Sequence, residues 1–121
     1  MRIFKYKWFH RFAAKEGISD NELKDVVKKL EEGQFDAELG GGVYKVRVAR
    51  AGEGKSGGYR VIVIFKSKFR TFFAYGFSKS KMDNIGNKVL KGYKEYAKDD
   101  LSMSDEQINQ WLKSQTLIEI L

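Results

Sequence analysis

Apolar residues recur at two different spacings along this 121-residue chain, and each change of spacing marks a change of element. Residues 2–7 read as a short strand. The segment 8-WFHRFAAKEG-17 reads as a short helix, closed by Gly17 as a C-terminal cap. Leu23, Val26, Val27 and Leu30 then fall at i, i+3, i+4 and i+7, between a Ser19/Glu22 pair with capping-box spacing and Gly33. This predicts an amphipathic helix over about 19–32.

From residue 43 the period becomes two. In 43-VYKVRVAR-50, Tyr44, Val46 and Val48 share one face and Lys45 and Arg47 the other, which predicts a strand packed on one side with its basic pair turned from the core. The segment 51-AGEGKSGG-58 predicts a flexible loop, 59-YRVIVIF-65 a strand, and 69-FRTFFAYGF-77 a third strand after a polar turn, together an antiparallel meander. Phe73, Tyr75, Phe77 and Lys79 alternate onto one face of the last run. Helical spacing returns with Ile85, Val89, Tyr93 and Tyr96 or Ala97, predicting a helix over about 82–98. Ser104 and Gln107 form a second capping-box pair ahead of Ile108, Trp111 and Leu112, and 117-LIEIL-121 reads as a last strand. The fold class expected is α+β: N-terminal helices on one face of a twisted antiparallel sheet, with further helices at the C-terminus.

No repeat, linker or proline interrupts the chain, so residues 1–121 read as a single domain. No window approaches the roughly 18 apolar residues of a membrane span, and the N-terminus lacks the layout of a secretory signal. A cytoplasmic location without membrane partners is therefore expected. Cysteine is absent, which excludes disulfides, thiolate catalysis and cysteine-held zinc. His10 is the only histidine, so a paired-histidine ribonuclease mechanism is excluded too, and His10 reads as a partly exposed helix residue.

Charge adds a partner class. Residues 99–121 hold five acidic residues against Lys113, a net −4, which leaves +11 on residues 1–98 of a chain carrying +7. A basic body of that kind attracts polyanions by counterion release, nucleic acid foremost. The glycines at 52, 54, 57 and 58 join strand to strand, so they are no dinucleotide fingerprint. Asp20, Asp25, Asp36 and Asp83 show no paired spacing on a strand end, and a two-metal nuclease is not expected. What remains is a group of cations with a phenol: Lys45, Arg47, Arg60, Tyr75 and Lys79 converge if the meander pairs in register. Cleavage of a phosphodiester by its own 2′-hydroxyl needs a proton acceptor, positive charge for the phosphorane and a proton donor for the leaving oxygen. Lysine, arginine and tyrosine can fill those roles with no cofactor, the neighbouring arginines lowering the lysine pKa. The same cluster also suits a plain basic binding face.

The block 39–85 contains L-G-G-G, K-x-R-V-A-R, G-K-S-G-G-Y-R and Y-G-F-x-K in order, and it resembles the RelE/HigB-type toxins of bacterial toxin–antitoxin systems. The resemblance extends more loosely over nearly the whole chain. It implies a ribosome-dependent mRNA interferase held in check by a cognate antitoxin, often one with a helix-turn-helix domain. It also implies Lys45 and Arg47 as catalytic or phosphate-binding groups, Arg60 as transition-state stabiliser, and Tyr75 with Lys79 as the stacking or acid groups. Lys55 would hold RNA backbone, with Arg50 and Lys81 as further RNA contacts. Relatives on the same fold poison DNA gyrase, which leaves a gyrase-directed toxin and a non-catalytic RNA- or ribosome-binding module as alternatives. In relatives the terminal helix can cover the active face, and the acidic tail would dock there electrostatically.

Overall fold

The computed structural model of the chain describes residues 1–50, 54–78 and 87–121, apart from the side chains of residues 49, 50, 54–57 and 87. In chain order the elements are β1 (Arg2–Tyr6), α1 (Lys7–Glu16), α2 (Asp20–Glu31), β2 (Ala37–Gly40), β3 (Val43–Arg50), β4 (Gly54–Lys66), β5 (Arg70–Ser78), α3 (Asn87–Ser102), α4 (Asp105–Lys113) and β6 (Leu117–Ile120). The strands form one sheet in the order β2-β3-β4-β5-β1-β6. The β3-β4-β5 meander is antiparallel, as its turns require. β1 inserts between β5 and β6, parallel to the first and antiparallel to the second, so the sheet is mixed.

Helices cover both faces, not one. On the first face, α1 and α2 bury Phe9, Ala13, Leu23, Val26, Val27 and Leu30 against Val46, Val48, Val61, Val63 and Phe73. Ser19 caps α2 with the reciprocal Glu22 bonds of a full capping box. Each large aliphatic side chain so buried contributes about 1.5–3 kcal/mol. On the second face, α3 and α4 lie over Val43, Ile62, Ile64, Phe72, Ala74 and Phe77, with Ile108 buried and Trp111 and Leu112 packed beside it. The alternation in 43–50 concealed this layer, because Val43 is its one apolar contributor there and the rest come from other elements, β4, β5 and β1 among them. Lys45 and Arg47 therefore share their face with a second core that fills only part of it.

Two further differences bear on the site. β4 begins at Gly54, so residues 54–58, expected in a loop, extend the hairpin. Between β4 and β5 the register slips: Val63 faces Phe73 while Ile62 faces Tyr75, with Ala74 as the extra residue of a bulge. The bulge sends Phe73 to the α1 side and leaves Tyr75 and Phe77 on the other, correcting the expected single alternating row. The L-G-G-G run forms the β2–β3 turn, where Gly40, Gly41 and Gly42 take φ of 91°, 64° and 86°. A side chain at Gly42 would also meet Leu101 of α3, at 2.9 Å.

The C-terminal segment is fastened at the end of the sheet away from Arg47 and Arg60. Arg70, buried, donates from Nη1 to the carbonyls of Asp100 (3.2 Å) and Met103 (2.5 Å) and from Nη2 to Asp105 (3.0 Å), tying the end of α3 to the start of α4. Arg2 grips Glu119 through two bonds of 3.0 Å. The tail does dock electrostatically, but on Arg2 and Arg70, not over the cation cluster. Asp100 is fully buried beneath Tyr6, whose hydroxyl lies 2.6 Å from both carboxylate oxygens. Burial pushes the Asp100 carboxyl up from 3.8 to about 7, against the lowering effect of the Tyr6 bond, and holds the Tyr6 phenol well above its ordinary range. Among the described residues no helix is long and apolar enough to cross a membrane.

Candidate active site

Strand pairing alone brings the predicted cations together. Arg47 of β3 lies directly opposite Arg60 of β4, and Arg60 is in turn opposite Phe77 of β5. Two residues along, Lys45, Ile62 and Tyr75 form the next row on the same face. Side chains of one row share a face, so Lys45, Arg47, Arg60 and Tyr75 surround a strip of sheet. Lys45 and Tyr75 sit two strands apart, about 10 Å between backbones, which a phosphodiester and its flanking sugars can bridge.

Two arginines directly opposite each other in a sheet repel. The structure supplies their counterion from a residue outside the expected set. Asp36, just ahead of β2, is anchored by its backbone N–H on the Lys45 carbonyl (2.9 Å). Its Oδ2 lies 3.1 Å from Nε of Arg60 and 4.0 Å from Nε of Arg47. Asp36 is thus the acidic neighbour of the Arg47–Arg60 pair, a role its spacing in the sequence did not indicate. Its position depends on the β2 pairing, a four-residue strand with no alternation long enough to be read in sequence.

Only 12% of the Arg60 side chain is exposed, and its Nη1 is buried without a hydrogen-bond partner. A guanidinium fixed at Nε by a carboxylate, with an Nη donor unspent, is preorganised for an oxyanion. Tyr75 is half-buried, its ring 6.0 Å from Phe77 and 6.1 Å from Tyr93 of α3. Burial holds the Tyr93 phenol above its ordinary range. The Tyr6–Asp100 bond positions the helix that carries Tyr93, so the second core reaches the site through α3. In the sequence Tyr93 reads only as a helix core position, since nothing in its spacing shows which strand residue it meets.

Lys79 and Lys81 lie outside the described residues, as do the side chains of Arg50 and Lys55. The backbone of those last two belongs to the β3–β4 hairpin, where Arg50 pairs with Gly54. His10 is half-buried on α1 and remote in sequence and element from the cluster, its Nδ1 without a partner. Among the described residues no group of three or more His, Cys, Asp or Glu side chains is placed to hold a metal ion.

None of the curated proteins compared with this sequence matches it. A family model does, that of the RelE toxin of the RelE / RelB toxin–antitoxin system, over residues 1–120. The match takes in every strand and helix described above, from β1 to β6. The architecture agrees with it, with N-terminal helices on a mixed sheet and helices following the meander. On this nearly full-length match, the chain belongs to the RelE toxin family.

Proposed function

We propose that the protein is a toxin that cleaves mRNA on the ribosome, using the β3-β4-β5 face as its active site. The observation that carries this reading is the convergence of Lys45, Arg47, Arg60 and Tyr75 on one face, with Asp36 fixing Arg60. Lys45 accepts the proton of the 2′-hydroxyl. The 2′-oxygen bonds to phosphorus, and Arg60 and Arg47 stabilise the charge that builds on the phosphorane oxygens. The bond from phosphorus to the 5′-oxygen then breaks while Tyr75 donates its proton to that oxygen. The products are a 2′,3′-cyclic phosphate and a 5′-hydroxyl, and proton exchange with water resets lysine and tyrosine. Lys79 joins Tyr75 at the leaving oxygen in this reading, and Lys55, Arg50 and Lys81 supply further RNA-backbone contacts. A cognate antitoxin, of helix-turn-helix type, is the expected protein partner, and mRNA on the ribosome the substrate.

The test is primer extension on a defined mRNA in a purified translation system, with and without ribosomes. The wild type should cut in the decoding-site codon only when ribosomes are present. Arg60→Ala should lower the cutting rate on the order of 100-fold or more while ribosome association is largely kept. Equal loss of cutting and association would favour a binding module, and growth arrest with intact mRNA would move the target to gyrase.

A further inference from the structure

Beside the cation cluster, a cleft of about 460 Å³ opens between the end of α2 and the edge of β3, bordered by Lys29, Gln34, Phe35, Asp36, Val46 and Arg47. Its volume falls within the range of about 300–1,000 Å³ usual for small-ligand sites. β2 pairs with β3 only as far as Ala37 opposite Lys45, so this border of β3 lies beyond the end of β2.

The wall facing β3 is rigid by local sequence. Gly33, at φ 77°, ends α2 in a tight turn in which its N–H donates to the Leu30 carbonyl (3.0 Å) and that of Gln34 to the Lys29 carbonyl (2.7 Å). The next two residues are thereby aimed at β3: Asp36 is pinned on Lys45, and the Phe35 ring rests against Tyr44, centroids 5.1 Å apart. Tyr44 is braced edge-on by Phe65. Phe35 nevertheless remains 38% exposed, an unusual state for a phenylalanine held this firmly. Two cations, Lys29 and Arg47, and an amide, Gln34, line the same cleft.

We propose that this cleft, which opens on the α2 side at the edge of β3, is a nucleotide subsite that takes a base flanking the cleavage site where the RNA strand passes round that edge. The proposal rests on the mRNA-cleaving reading above. Phe35 supplies the stacking face, Lys29 and Arg47 hold the adjoining phosphate, and the Gln34 amide, which can both donate and accept, reads the base edge. Charge selects the occupant: two cations and an exposed aromatic ring in one cleft, with Asp36 held by Arg60, suit a single-stranded nucleotide. Continuity supports it as well. Arg47 borders the cleft and shares Asp36 with Arg60, so a strand leaving the reactive cluster over the β3 edge runs into the cleft.

The test compares wild type, Phe35→Ala, Phe35→Trp and Gln34→Ala on an mRNA library with every codon in the decoding site, measuring kcat/KM and the nucleotide profile of the cuts. Phe35→Ala should lower kcat/KM roughly 5- to 150-fold, the equivalent of one stacked base. Phe35→Trp should restore it to within a few-fold. Gln34→Ala should flatten nucleotide preference at one position and leave the others unchanged. The proposal is overturned if wild type cuts while Phe35→Ala keeps its rate and profile. It is also overturned if Phe35→Ala loses activity only in step with its melting temperature and Phe35→Trp gives no rescue. Ultraviolet crosslinking of a short single-stranded oligoribonucleotide to the wild-type protein separates the two readings. A crosslink on residues 34–36 in a protein that does not cut would overturn the cleavage reading alone; its absence there would overturn the subsite.

Discussion

Replacing Asp100 by asparagine should make the protein more stable at neutral pH and indifferent to pH where the wild type is not. The carboxyl is fully buried, and its pKa rises from 3.8 in the unfolded chain to about 7 in the folded one. Between those values the folded state holds a proton that the unfolded state has released, so wild-type stability falls as pH rises. The favourable contribution is complete below 3.8 and lost as pH passes through about 7. At about 1.4 kcal/mol per pH unit the integrated loss approaches roughly 4 kcal/mol, an upper bound for a site that can relax. Asparagine keeps the shape and still accepts the Tyr6 hydroxyl, but it never ionises. Urea unfolding of both proteins from pH 4 to pH 8.5 measures the difference. The curves should nearly meet at the acid end and diverge steadily towards neutrality, the variant being the more stable. Parallel curves would refute the argument that a buried, ionising Asp100 loosens α3.

Two other substitutions probe the site and its support. Asp36→Asn removes the charge shared by Arg47 and Arg60, and the misplaced guanidinium groups should slow single-turnover cleavage up to about 100-fold while ribosome association holds or tightens; an unchanged rate would remove Asp36 from the account. Gly76→Ala places a methyl group where the Phe12 ring already lies, 2.2 Å from the new carbon, and should cost about 1–3 kcal/mol in urea unfolding. Trimming the ring with Phe12→Leu in the same chain should recover part of that loss; full stability in the single variant would mean that α1 shifts freely over β5.

Local periodicity carried much of the fold. The helix over 19–32 was legible because its apolar stripe, capping box and terminal glycine agree, and α2 runs from Asp20 to Glu31 with that cap in place. The meander was legible because alternation and turn residues mark each run. What periodicity could not show was anything depending on pairing at a distance. The parallel β1–β5 contact, the second apolar layer under α3 and the short β2 all arise from residues far apart in sequence. The site divides the same way. Lys45, Arg47, Arg60 and Tyr75 follow from strand parity, and the strand register sets them in two rows of one face, although a bulge at Ala74 removed Phe73 from that face. Asp36 and Tyr93 reach the cluster through β2 and α3, and neither carries a spacing that points to it.

The central claim is that the RNA's own 2′-hydroxyl is the nucleophile in a cut made on this sheet face. An mRNA carrying a single 2′-deoxynucleotide immediately 5′ of the scissile phosphate, loaded on ribosomes in the purified system, tests it most directly. The account predicts that wild-type protein leaves that position intact, cuts the all-ribose control, and leaves a 2′,3′-cyclic phosphate and a 5′-hydroxyl on the control fragments. Cutting at the deoxy position at the control rate would contradict it.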